Sequence, residues 1–109
     1  MILKKILSKS ISKKIKIKWP NDLLYNKEKI CGILQEIINL DQFKFLIVGI
    51  GLNTNNAPKN KSFSSTCLKN IISRKIDNKK ILGNIKKEYE KFLIKTKKYF
   101  FLEFKKKYK

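Results

Sequence analysis

Apolar and polar residues alternate without a break from Lys14 to Trp19, with Ile15, Ile17 and Trp19 set against Lys14, Lys16 and Lys18. A period of two predicts a half-buried strand. Pro20 ends it, because proline has no N–H to give to a ladder and fixes its own φ. Asn21 and Asp22 follow as turn formers. Two more runs read as strands, Lys29 to Ile38 holding Gly32 and Phe43 to Asn53 holding Gly49 and Gly51. The connections are short, so the simplest arrangement is an antiparallel three-strand meander.

The flanks follow a different period. Ile2, Leu3, Ile6, Leu7 and Ile11 fall on one helical face, with Lys4, Lys5, Lys9 and Lys13 around them. This segment fits a core-facing helix feeding the first strand. Being basic, serine-containing and free of acids, it also fits a transit peptide or a membrane-surface helix. After Asn53 comes a polar loop. Ser64, Ser65 and Thr66 then offer an N-cap for a short segment, Cys67 to Ile72, and Asp77 or Asn78 offers one for a longer helix. The apolar positions of that helix are Ile81, Ile85, Tyr89 and Phe92, widened by Leu82 and Leu93, a stripe suited to packing against the sheet. A last segment, Tyr99 to Tyr108, is aromatic on one side and rich in lysine on the other. The pattern predicts an α+β domain: a helix over residues 1–13, the strand meander over 14–53, a loop over 54–65 and a helical tail over 66–109.

Composition narrows the chemistry. The 109 residues allow one domain with a modest core. The net charge is +19, and Arg74 is the only arginine. Such a charge suits an anionic partner. It also suits simple compositional bias, since the lysines run through the whole chain. The arginine and aromatic interleaving used for phosphate forks and base stacking is weak, and no helix-turn-helix has a place. No specific nucleic-acid partner is expected. Histidine is absent, and Cys31 and Cys67 stand far apart. That removes zinc sites of the usual spacing and every histidine-based catalytic arrangement, so no metal ligands are expected. Two isolated cysteines fit a reducing compartment such as the cytoplasm. No apolar run reaches membrane-spanning length.

Three blocks carry a family resemblance: Lys18-Trp19-Pro20-Asn21-Asp22, then Lys29-Ile30-Cys31-Gly32-Ile33-Leu34 with Glu36, then Gly49-Ile50-Gly51-Leu52-Asn53. In this order and spacing they resemble the signature of the biotin protein ligases (biotin–acetyl-CoA-carboxylase ligases). The resemblance implies a class II synthetase-like catalytic domain, of which the chain matches the second half. It implies formation of biotinyl-adenylate from biotin and ATP with Mg2+. Biotin would then pass to a lysine of the biotin carboxyl carrier protein of acetyl-CoA carboxylase. Lipoate-protein ligases share the fold and the strategy, but the Lys18–Asp22 block points to biotin. In the family a glycine- and arginine-rich loop upstream closes over biotin, and this chain has no match to it. The small C-terminal barrel and the N-terminal winged helix are also unmatched, which counts against a repressor role. The expectation is therefore a ligase by descent, inactive alone if the biotin loop is indispensable, and either the downstream piece of a split or frameshifted gene or a chain that pairs with a separate N-terminal half to rebuild the site. The alternatives are a non-functional ligase remnant and a basic nucleic-acid-binding module whose affinity falls steeply with salt.

The resemblance also assigns residues. Lys29 matches the lysine that stands between the biotin carboxylate and the α-phosphate, where a fixed ammonium cancels repulsion. On composition alone it would be a solvated turn lysine. Asp22 matches an aspartate suited to orienting the incoming amine, and equally suits a turn. Asn21 and Asn53 end strands and carry amides able to meet an adenine edge, Asn53 in particular being assigned to the nucleotide. Gly32, Gly49 and Gly51 allow a ligand or a bulge close to the backbone. Gly49-Ile50-Gly51 lacks the third glycine of a dinucleotide fingerprint. Trp19 is expected in the core or as a wall of the site, and Lys18 as a phosphate contact or an ion-pair partner of Glu36.

Overall fold

The computed structural model describes residues 2–59 and 62–96. Helix α1 (Ile2–Ser10) leads into strands β1 (Ile15–Lys18), β2 (Asp22–Tyr25), β3 (Glu28–Leu40) and β4 (Phe43–Leu52), followed by helices α2 (Leu68–Ile72) and α3 (Asn78–Thr96). The strands form one antiparallel sheet in the order β1-β2-β3-β4. The α+β class and the antiparallel meander are as expected. The strand count is four rather than three.

The additional strand is Asp22–Tyr25, where a turn was expected to continue. It pairs with β1 from Ile15↔Tyr25 to Lys18↔Asp22, so Trp19-Pro20-Asn21 form the whole connection. The Trp19–Pro20 peptide is cis. At its other end β2 turns into β3 through Asn26 and Lys27, both at positive φ (48° and 65°). Two successive left-handed residues make the hairpin turn whose twist matches the strands. Lysine is a poor advertisement for such a turn, and Leu23-Leu24-Tyr25 shows no alternation. The sequence signal for this hairpin is correspondingly weak.

One face of the sheet carries the core. Leu23, Cys31, Ile33 and Val48 lie on it by register, and they join Ile15, Ile30, Leu3 and Leu7 of α1, Leu68 of α2 and Ile85 and Tyr89 of α3 in one buried cluster. Leu3 and Leu7, one helical turn apart, are both completely buried. Each contributes on the order of 1.5–3 kcal/mol of transfer free energy. In α3, Ile85 and Tyr89 face this core, whereas Leu82 and Phe92 are exposed at 41% and 49%. The buried stripe is thus narrower than the apolar pattern. Asp77 caps α3, its Oδ1 accepting from the backbone N–H of Lys79 at 3.0 Å and of Lys80 at 3.2 Å. The expected serine or threonine cap of α2 is replaced: Cys67 occupies that position without a side-chain hydrogen bond. The segment Tyr99 to Tyr108 lies outside the described residues.

The β3–β4 hairpin runs on past the helices. Ten rows pair, from Cys31↔Leu52 to Leu40↔Phe43. At its far end Ile37, Leu40 and Phe43 are 58–69% exposed.

Candidate functional site

The site begins with an irregularity in register. Leu23 pairs with Cys31, but Leu24 pairs with Lys29, so Ile30 is an extra residue in β3. Successive strand residues point to opposite faces, and one inserted residue reverses the alternation beyond it. Ile30 and Cys31 are therefore both buried in the core (0% and 1% exposed). Lys29 emerges instead on the outer face, beside Asp22 and Gly32. Without the bulge, regular alternation would send a lysine toward the core.

Lys29 and Asp22 form an ion pair, Nζ to Oδ1 at 3.4 Å, with each side chain about one-third exposed (30% and 32%). Gly32, paired with Asp22 in register, lies beneath them. A Cβ on Gly32 would stand 3.3 Å from the Lys29 Nζ and 3.7 Å from the Asp22 Oδ1. Gly51 pairs with Gly32 on the next strand. Asp22, Gly32 and Gly51 thus make a row across three strands in which two positions carry no side chain. Gly49 lies on the same face opposite Leu34, which is 59% exposed. The outer face here is a patch of bare backbone with a cation and an anion at its edge.

The main chain of Lys29 is held as well. Its N–H donates to Ser64 O at 2.9 Å, and its carbonyl accepts from Thr66 N–H at 3.0 Å. Residues 64–66 so form a short parallel bridge alongside β3, at Lys29↔Ser65, where β4 has already ended. Asn53 fastens this junction. Its Nδ2 donates to Thr66 O at 3.1 Å and Lys29 O at 3.4 Å, and its backbone N–H donates to Ile30 O at 2.8 Å. The amide donors of Asn53 are thus spent on backbone carbonyls, which leaves its Oδ1 as the group able to face a ligand. Asn21 is exposed, and its carbonyl accepts from Ile33 N–H at 2.8 Å.

Two expectations each lose one alternative. Trp19 is 86% exposed and so is not part of the core. It lies beyond the last paired row of β1, an edge strand, in the turn that Pro20 and Asn21 complete. Lys18 and Glu36 form no ion pair among the described residues. Lys18 is opposite Asp22 in β1, whereas Glu36 is opposite Ile47, farther along β3. A further contact has no counterpart in the sequence reading. The ring of Phe63 lies under the Lys29 ammonium, with Nζ 5.1 Å from its centroid. Phe63 also lines a cavity of about 520 Å3 with Glu28, Ala57, Pro58 and Ser65. The available signal was its isolation, since it is the sole aromatic residue in an otherwise polar loop.

Cys31 adjoins this site from the core side. Burial pushes its thiol up to about 12, offset in part by the nearby Lys29 ammonium and reinforced by the Asp22 carboxylate. It is an inert, protonated core thiol and no nucleophile. Among the described residues no three His, Cys, Asp or Glu side chains gather where they could hold a metal ion. No described helix is long and apolar enough to cross a membrane.

Comparison with known proteins bears on the sheet and the helix that precedes it. The sequence model of the Biotin/lipoate A/B protein ligase family matches residues 2–53, a span that holds α1, the whole sheet and the Lys29–Asp22 pair. The chain is 36% identical over 80 residues to the bifunctional ligase/repressor BirA of Bacillus subtilis, covering 69% of this chain and 25% of that protein. It is 32% identical over 78 residues to the biotin–[acetyl-CoA-carboxylase] ligase of Mycobacterium tuberculosis, covering 72% of this chain and 28% of that protein. Among solved structures it superposes on the apo biotin protein ligase of Aquifex aeolicus with a TM-score of 0.68 at 28% identity, over 91% of this chain and 44% of that one. The same ligase in complex with biotin and ATP gives a TM-score of 0.67 at 28% identity, over 86% of this chain and 40% of that one. The chain spans about a quarter of the length of these curated relatives and under half of the solved ligase. Over α1 and the whole sheet, then, the chain matches the biotin/lipoate A/B protein ligase family, and in both sequence and fold it is similar to the biotin protein ligases.

Proposed function

We propose that this chain supplies the charge-handling part of a biotin protein ligase site. The observation that carries the reading is a partly exposed lysine on an open glycine patch, its ammonium tethered to one carboxylate and its main chain anchored. In the first step an oxygen of the biotin carboxylate bonds to the α-phosphorus of ATP. The bond from that phosphorus to the bridging oxygen breaks, and pyrophosphate leaves. Both reactants are anionic. The Lys29 ammonium lowers their repulsion and stabilises the charge that grows on the phosphate oxygens. In the second step the amine of a carrier-protein lysine attacks the biotinyl carbonyl and AMP leaves. Asp22, beside Lys29, attracts the incoming ammonium and orients it as it loses its proton. Gly32, Gly49 and Gly51 let the adenylate lie against backbone. The Asn53 Oδ1, Asn21 and the exposed indole of Trp19 border that surface.

Side chains of the described residues offer no carboxylate cage for Mg2+, so the ion arrives with the phosphates of ATP, as it commonly does. The carrier is the biotin carboxyl carrier protein of acetyl-CoA carboxylase. The biotin-covering loop belongs to the part of the ligase that this sequence does not span. The free, buried cysteines support the cytoplasm as the compartment.

Calorimetric titration with a sulfamoyl analogue of biotinyl-adenylate tests the reading. Saturable binding that requires both the biotin and the adenosine portions is expected, and loss of that binding in Lys29→Ala. In the presence of a complementing N-terminal half, Lys29→Ala should slow adenylate formation by about 10²–10³, while Asp22→Asn should slow transfer more than adenylation. A folded wild-type chain that ignores the analogue, or a fully active Lys29→Ala, would overturn it.

A further inference from the structure

We infer that Phe63 is a positioning residue for Lys29, keeping its ammonium poised above the glycine patch. The inference rests on the ligase reading of the Lys29 site and adds to it a residue outside the three signature blocks. An ammonium that must sit between two anionic substrates faces a local competitor, since Asp22 lies 3.4 Å away and attracts the same charge. A second carboxylate would restrain Lys29 at the cost of further neutralising it and of repelling the substrates. An aromatic face attracts a cation through its quadrupole while carrying no net charge and taking no N–H donor in a directed hydrogen bond. At 5.1 Å from Nζ to the centroid, the Phe63 ring lies within the range of that attraction.

The contact is built in by the chain. Ser64, the next residue after Phe63, accepts the backbone N–H of Lys29, and Thr66 donates to the Lys29 carbonyl. Asn53 ties the same two strands together through Lys29 O and Thr66 O. The main chain of Lys29 therefore fixes the segment that carries the ring, and the ring meets the side chain of the same lysine. Asp22, Phe63 and the open space over Gly32 then surround the ammonium from different residues, only one of which is charged. Phe63 remains 41% exposed, so core packing alone does not explain an aromatic at this position.

Two readouts on the intact chain test this. The first is the 1H–13C resonance of the Lys29 ε-methylene, which a ring face shifts upfield. The second is affinity for the sulfamoyl analogue of biotinyl-adenylate. Phe63→Leu should lose the shift and bind the analogue about 3- to 10-fold more weakly, whereas Phe63→Tyr and Phe63→Trp should restore both. Should Phe63→Leu leave the Lys29 resonance unmoved, the contact is not made and the inference fails. Should it move the resonance but keep wild-type affinity while Lys29→Ala abolishes binding, the inference fails and the ligase reading stands. A wild-type chain that shows the ring shift without binding the analogue overturns both.

Discussion

At Gly32 a single added methyl group would reach the Lys29 ammonium. The clash is with the far end of a flexible side chain, 3.3 Å away, and not with backbone. Gly32→Ala should therefore change folding stability by less than about 1 kcal/mol. It should nonetheless displace Lys29 from Asp22 and weaken binding of the adenylate analogue about tenfold or more. Thermal melting and calorimetry on the same preparation separate the two effects. Equal losses in both would mean that the glycine serves the strand and not the site. Cys31, one residue away, reports on the core side. Its folded thiol titrates at about 12 against an ordinary 9.0. The unfolded chain gives up this proton first, so the contribution to stability is intact below about pH 9 and is lost as pH rises toward 12. The slope is up to about 1.4 kcal/mol per pH unit. Urea unfolding at about pH 8 and about pH 10 should show a shallower alkaline loss in Cys31→Ala than in the wild type, by up to that slope.

At the scale of elements, α1 holds the sheet in place. Leu7 is completely buried among residues of the sheet and of α3, and Leu7→Ala should cost about 2–5 kcal/mol in chemical denaturation. Phe92→Ala, at a half-exposed position of α3, should cost far less. That contrast marks what periodicity can and cannot tell. The alternation from Lys14 to Trp19, the i, i+4 pair Leu3 and Leu7, and the cap at Asp77 are local signals, and the elements they predict are present. Which part of a broad apolar stripe faces inward depends on where the sheet lies, so Leu82 and Phe92 could not be sorted from Ile85 and Tyr89. The bulge at Ile30 is harder still. Nothing in Lys29-Ile30-Cys31-Gly32 distinguishes a regular strand from one with an extra residue, yet the face on which Lys29 emerges depends on it. The resemblance assigned Lys29 and Asp22 to one site. Their meeting at 3.4 Å depends on pairing between two strands, one of which the pattern did not reveal. The core alternative for Trp19 fell for a related reason: alternation continues through it, but the paired rows stop at Lys18.

At the scale of the whole molecule, order is unevenly distributed along the longest feature of the fold. The β3–β4 hairpin has its Lys29 end braced by β2, by residues 64–66, by Asn53 and by the helical layer. At its other end Leu40 and Phe43 are mostly exposed, and the described helices do not brace them. Hydrogen exchange should record this as a gradient along one ribbon. The distal rows, from Ile38↔Phe45 to Leu40↔Phe43, should open locally and exchange early. The amides of Ile33, bonded to Asn21 O, and of Asn53, bonded to Ile30 O, should exchange only with global unfolding. Uniform protection along the hairpin would contradict this. The ribbon would then behave as a lever clamped at one end. Fluctuations of the tip are absorbed before they reach Gly32, and the ammonium and carboxylate stay in register while the far rows break and re-form.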